Sequence, residues 1–158
     1  MTDEKCTFHL ASFRVPSKNP DSDALDDMVA RANQFRDASI RCFNSTVPIA
    51  EQNQLLVFPH VVCGCFACEM YLKFLLKKDG KKAPRNHSLI ELWAMQSDII
   101  KNGFQAKYIT TNIDDLIRSI SDHFIKIRYN HEMQMETVHF GEDKLAMILP
   151  YLSDVCNK

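Results

Sequence analysis

The chain predicts an all-α fold, an up-and-down bundle of about five helices in a single domain, and three observations lead there. The stretch from Leu55 to Lys78, LLVFPHVVCGCFACEMYLKFLLKK, is apolar on nearly every side, which is the pattern of a helix packed against several neighbours. Apolar residues elsewhere recur at helical spacing. Gly and Pro, at 4 and 6 of 158 residues, are too few for the many tight turns of a strand sandwich. A chain of this length can bury a core without disulfides or metals.

Residues 1–20 read as an N-terminal arm, because SFRVPSKNP carries two prolines and no period. The helical bundle is expected over 21–158. Asp21, Ser22 and Asp23 offer N-caps to a first helix. Leu25, Met28, Val29, Ala32, Phe35, Ala38 and Cys42 give it an apolar stripe that ends near Asn44. Ser45 to Gln54 reads as a connection. The central helix tolerates Pro59 in its first turn and is stopped by Asp79-Gly80. Ser88-Leu-Ile-Glu91 has the form of a capping box. It opens a third helix with Leu89, Leu92, Trp93, Gln96, Ile99 and Ile100 on one face, expected to stop at Asn102-Gly103. Phe104 to Thr110 reads as a connection. A cap between Thr111 and Asp114 then starts a fourth helix with Ile113, Leu116, Ile117, Ile120, Phe124 and Ile127 inward, running to about Arg128. The polar stretch YNHEMQMETVHFGED reads as a loop. Lys144 to Val155 reads as a last helix that Pro150 should kink or split.

A net charge of −1 argues against nucleic-acid binding by bulk charge, without excluding a local basic site. One such locality exists, KKDGKKAPR, with Lys77, Lys78, Lys81, Lys82 and Arg85 in a single short stretch. The first residues, MTDEKCTFHLASF, lack the apolar core of a secretory signal. Six cysteines in that context read as reduced thiols of a cytoplasmic protein. The central stretch is long enough to cross a bilayer. Pro59, His60, Glu69 and Lys73 inside it argue for a core helix and no membrane, since an ionised side chain at the bilayer centre costs about 2.5–3.5 kcal/mol on insertion scales.

Two segments, FACEMYLKFLLKKDGKKAPRNHSLIEL from Phe66 to Leu92 and HFIKIRYNHE from His123 to Glu132, together resemble the HEPN superfamily. The shared pattern is Ala-x-Glu-x-x-Leu-Lys, a loop of about ten residues, His-x-Leu-x-x-Leu, and a later aromatic-x-x-x-Arg-Tyr. The Arg-Tyr form is closest to the branch that includes the C-terminal domain of sacsin. The matching positions are Glu69, Leu72, Lys73, His87, Leu89, Leu92, Arg128 and Tyr129. The resemblance implies a helical bundle, a nucleotide or RNA ligand, a homodimer with the site near the subunit interface, and no cofactor. It implies ligand-binding roles for Glu69, Lys73, His87, Arg128 and Tyr129, with His131 and Glu132 following in the same stretch.

The activity best known in that superfamily is metal-independent RNA cleavage by Arg-x(4–6)-His. Here positions 133 to 135 after Arg128 are Met133, Gln134 and Met135, and His131 follows too closely. The chain therefore reads first as a binding module without catalysis, for a nucleotide, RNA or protein partner, with Glu69 and Arg128 meeting across two helices. The other reading is a toxin or defence ribonuclease that uses Arg128 and His131, or Arg118 and His123. The latter two lie five apart on one helix and so about 140° out of phase.

The remaining side chains carry two readings each. Cys63, Cys65 and Cys68 cannot converge as three metal ligands within one continuous helix, so they read as small packing residues and no metal site is expected. His87 is either a cap or a ligand contact. The lysine-rich loop is either a solvated tip that favours the helix C-terminus or a phosphate-steering patch.

Overall fold

The long apolar helix lies at the centre of the protein, and each of its neighbours covers one of its faces. The computed structural model describes the backbone of residues 22–49, 52–129 and 144–158, and the side chains of 24–45, 56–121 and 144–158. The arm expected over 1–20 lies outside the described residues, as does the loop expected over 129–143 apart from Tyr129, which is the last residue of a helix. The central helix, α2 (Val57–Lys78), has His60, Val61, Gly64, Cys65, Ala67, Cys68, Glu69, Tyr71, Leu72, Phe74, Leu75 and Leu76 buried. No single stripe could account for that set. By length and composition this helix could also cross a membrane, but 67% of its most apolar window is buried inside the protein, as befits a core helix. Its end is closed as Asp79-Gly80 requires. Gly80 takes φ 71°, and the amide of Lys81 returns to the carbonyl of Leu76 at 2.8 Å, a turn that L side chains rarely enter.

α1 (Ser22–Phe43) runs antiparallel to α2, because Phe35 stacks near Phe66 while Phe43 lies on His60. α6 (Leu145–Cys156) runs parallel to α2, with Leu145 beside Gly64 and Cys156 Sγ 3.8 Å from the carbonyl of Tyr71. α5 (Ile113–Tyr129) is antiparallel to α6, since Lys144 Nζ donates to Ser119 Oγ at 2.7 Å while Thr111 lies by Met147. It is therefore antiparallel to α2 as well. Cys65 Sγ approaches the carbonyl of Ile120 at 3.9 Å, which fixes that register. Of the side chains expected inward on α5, Ile113, Leu116, Ile117 and Ile120 are buried, and those of Phe124 and Ile127 lie outside the described residues; α6 buries Leu145, Ile148, Leu149 and Leu152. The side chain of Asn112 caps α5 by accepting from the amides of Asp114 and Asp115.

The structure departs from the sequence reading in three places. The connection after α1 contains a hairpin, β1 (Thr46–Ile49) and β2 (Gln52–Leu55), antiparallel with Thr46 opposite Leu55 and Ile49 opposite Gln52. Strands of four residues, one of them QNQL, carry too little alternation to register as a period. Pro48 is tolerated because each strand of a two-stranded ribbon has an open side. The helical core remains all-α.

The expected third helix is two helices, α3 (Leu89–Ala94) and α4 (Asp98–Lys107). Met95 and Gln96 end α3, and Gln96 turns its amide back to the carbonyls of Leu92 and Leu72 at 2.9 and 3.0 Å. Ser97 is then extended and starts α4. α4 passes through Asn102-Gly103, where a stop was expected. Gly103 is there for closeness, since a Cβ at that position would lie 2.7 Å from the Tyr151 hydroxyl. Phe104, assigned from sequence to a connection, is fully buried and packs edge-on to Trp93 and Tyr151.

α6 also runs on through Pro150 rather than splitting. The one helical bond lost there is to the carbonyl of Ala146, an exposed residue whose carbonyl water can reach.

Gly64 sets the closeness of three helices. A Cβ there would meet Leu145 Cδ1 at 2.6 Å and Ser39 Oγ at 2.9 Å. Gly64→Ala should therefore lower stability by about 1–3 kcal/mol through overpacking, despite the better helix propensity of alanine. Urea denaturation checks this as a lower midpoint at unchanged slope.

Candidate functional site

Glu69 is the buried acid of α2, its side chain 8% exposed. An ionised carboxylate in that position needs partners, and two arrive from different directions. Lys73, one turn on and 18% exposed, places Nζ 2.8 Å from Oε1. This is the favourable order of an acid four residues before a base. The second partner is His87, whose Nδ1 lies 2.9 and 3.1 Å from the two carboxylate oxygens. A carboxylate only accepts, so Nδ1 carries the proton and donates. His87 is otherwise 57% exposed, which leaves the opposite ring edge toward solvent.

His87 reaches Glu69 because of the turn at Gly80. That turn sends the chain back along α2, and the loop is then fastened at several points. Lys81 Nζ donates to the carbonyl of Met95 at 3.0 Å, and Asn86 Nδ2 donates to the Glu91 carboxylate. Ser88 Oγ caps α3 by accepting from the amide of Glu91 at 3.3 Å. Ser88 thus does the capping, and His87 turns to the acid. Lys77, Lys82 and Arg85 of the same stretch are exposed, and none forms an ion pair among the described residues. The result is a positively charged loop, five cations against Asp79 over residues 77–85, held in place by a hydrogen-bonded anchor.

The other expected site residues fall elsewhere. Arg128 and Tyr129 end α5, and their side chains lie outside the described residues. Cys65 and Ile120 are level, Glu69 is four residues toward the C-terminal end of α2, and Arg128 is eight residues beyond Ile120 toward the other end. At about 1.5 Å per residue the backbones of Glu69 and Arg128 lie roughly 18 Å apart along the bundle. The structure thus joins Glu69 to His87 and Lys73, and carries the backbone of Arg128 toward the far end of α2. Arg118 is exposed on α5. His123 shares that helix, with its side chain outside the described residues, and His131 and Glu132 lie outside them altogether.

Cys65 and Cys68 are fully buried and Cys63 half-buried. Burial pushes the thiols of Cys65 and Cys68 well up, which makes them inert packing residues. Among the described residues no group of three or more His, Cys, Asp or Glu side chains is placed to hold a metal ion.

No protein-family model matches the chain, and no curated protein or solved structure matches it. The HEPN resemblance accordingly rests on the motif residues themselves.

Removing each end of the anchor should have unequal effects. Glu69→Ala leaves Lys73 and His87 without their acceptor and should lower stability by about 1.5–3 kcal/mol, the range for hydrogen bonds to a charged group. His87→Ala should cost under about 1 kcal/mol, because its ring is already largely in water. Denaturation of both variants and of the double variant gives the coupling energy directly.

Proposed function

We propose that the chain is a HEPN-like helical module that binds a phosphate-bearing ligand, a nucleotide or RNA, without catalysing a reaction on it. The observation that carries this reading is the anchored loop: Lys77, Lys82 and Arg85, exposed and without an ion pair among the described residues, on the stretch that ends in a histidine held from behind by a buried carboxylate. An unfastened lysine loop is a common solvated helix end. Fastening through Lys81, Asn86, His87 and Ser88 reduces the ordering that a ligand must impose, which is how preorganisation raises affinity. Lysine supplies point charges to phosphate oxygens, and Arg85 a planar fork. The exposed edge of His87 adds a hydrogen-bonding group at the same place.

In this reading Glu69 is a positioning residue that the ligand never touches. Arg128 and Tyr129, further along α5, take part only when the ligand is long enough to run between the two regions, as an RNA strand is. The homodimer implied by the resemblance is part of the same proposal. A module of this kind works by occupancy, so the ribonuclease reading through Arg118 and His123 is its direct competitor.

Two measurements test the proposal. Titration of a fluorescent single-stranded RNA and of a fluorescent mononucleotide should show binding that weakens steeply with salt. The double change Lys82→Glu with Arg85→Glu should lower affinity for both by at least tenfold, whereas Arg128→Ala should weaken RNA binding and leave mononucleotide binding unchanged. No binding at low salt removes the proposal. Incubation of the RNA with protein in EDTA should leave it intact. Cleavage lost in His123→Ala or His131→Ala would establish the nuclease instead.

A further inference from the structure

Two half-buried cysteines that the site does not use lie on facing helices, Cys42 in the last turn of α1 and Cys63 in α2. Their neighbours fix the local register. Ser39 Oγ donates to the carbonyl of His60 at 2.9 Å and also lies 2.9 Å from His60 Nδ1. The same oxygen would be 2.9 Å from a Cβ at Gly64, and the Phe43 ring lies 5.0 Å from that of His60. Cys42 follows Ser39 by one turn and directly precedes Phe43. Cys63 follows His60 by one turn and directly precedes Gly64.

The two helices run in opposite directions, and every side chain of a helix leans toward its own N-terminus. The lean of Cys42 is therefore toward the level of Cys63, and the lean of Cys63 toward the level of Cys42. Gly64 allows the close backbone approach that a cross-link demands, with Cα atoms within about 7 Å. Burial chiefly, and Cys42 secondarily, push the Cys63 thiol up.

We propose that Cys42 and Cys63 form a reversible disulfide that clamps α1 to α2. The oxidant is a small-molecule disulfide of the glutathione class. One protein thiolate attacks it, forming a mixed disulfide and releasing one small thiol. The second protein thiolate then attacks the protein sulfur of the mixed disulfide and releases the other small thiol. Two protein thiols lose two electrons and two protons, and the small disulfide becomes two thiols. Cys65, Cys68 and Cys156 stay outside this exchange, because they are buried and their thiols are pushed up, that of Cys156 to about 12.

The test uses the full chain, incubated with oxidised glutathione at about pH 8, where an ordinary thiol is partly ionised, then digested without reduction and analysed by mass spectrometry. The expected product is one cross-linked peptide joining Cys42 to Cys63, lighter than the two reduced peptides by two hydrogens and restored by dithiothreitol. Cys42→Ser and Cys63→Ser should each abolish it. Oxidation should raise the thermal midpoint of the wild-type chain and leave that of Cys42→Ser unmoved. Glutathione adducts persisting on Cys42 and Cys63 without a cross-link overturn the proposal. So does a cross-link from either cysteine to Cys6. The wild-type digest decides the matter even if a serine variant fails to fold.

Discussion

A helix buried over most of its surface has little room for an unbalanced charge, and α2 carries a buried carboxylate in its middle. Much of the surrounding geometry follows from that one constraint. Glu69 needs donors, Lys73 supplies one from the next turn, and the second has to come from another element. His87 can supply it only if the chain reverses at Gly80 and lies back along α2. That return path fixes where α3 begins and brings Gln96 to the carbonyl of Leu72. It also determines which side of the bundle presents the lysines. The ion-pair cluster contributes little net stability, since desolvation opposes it, but it specifies one loop path over others.

Small residues do the complementary work on the far faces of α2. Gly64 lets Ser39 and Leu145 approach together, and Ala67 and Cys68 are fully enclosed. The polar pair Ser39 and His60 satisfies itself across α1 and α2 inside the core, as buried polar groups must. The same tight approach places Cys42 and Cys63 on facing surfaces. Packing distance and thiol chemistry are two consequences of one glycine.

The helices were legible in the sequence because long amphipathic or all-apolar runs have a strong period. Asp79-Gly80, Ser88 and Asn112 marked ends that hydrogen bonds now explain. The hairpin was illegible because four-residue strands carry almost no period. The division between α3 and α4 was masked by an apolar stripe that continued across Ser97, and Gly103 imitated a stop while serving the hydroxyl of Tyr151. At the site, Glu69 stood out as a charge in an apolar run, and its bond to Lys73 is one that i, i+4 spacing on a helix allows. Its bond to His87 did not, because a contact through a loop depends on the loop's path. The expected partner, Arg128, was chosen by motif, and the antiparallel register of α2 and α5 carries its backbone the other way.

The claim on which the rest turns is that Glu69 holds His87 and thereby the basic loop. Long-range proton–nitrogen correlation spectra of the His87 imidazole address it most directly, because they report which ring nitrogen bears the proton in the neutral form. The Nδ1-protonated tautomer is expected in the wild-type chain, where the Glu69 carboxylate accepts from it, and is expected to be lost in Glu69→Ala, which removes the acceptor. A His87 ring in the ordinary Nε2-protonated tautomer, unchanged by Glu69→Ala, would contradict the bond to Glu69.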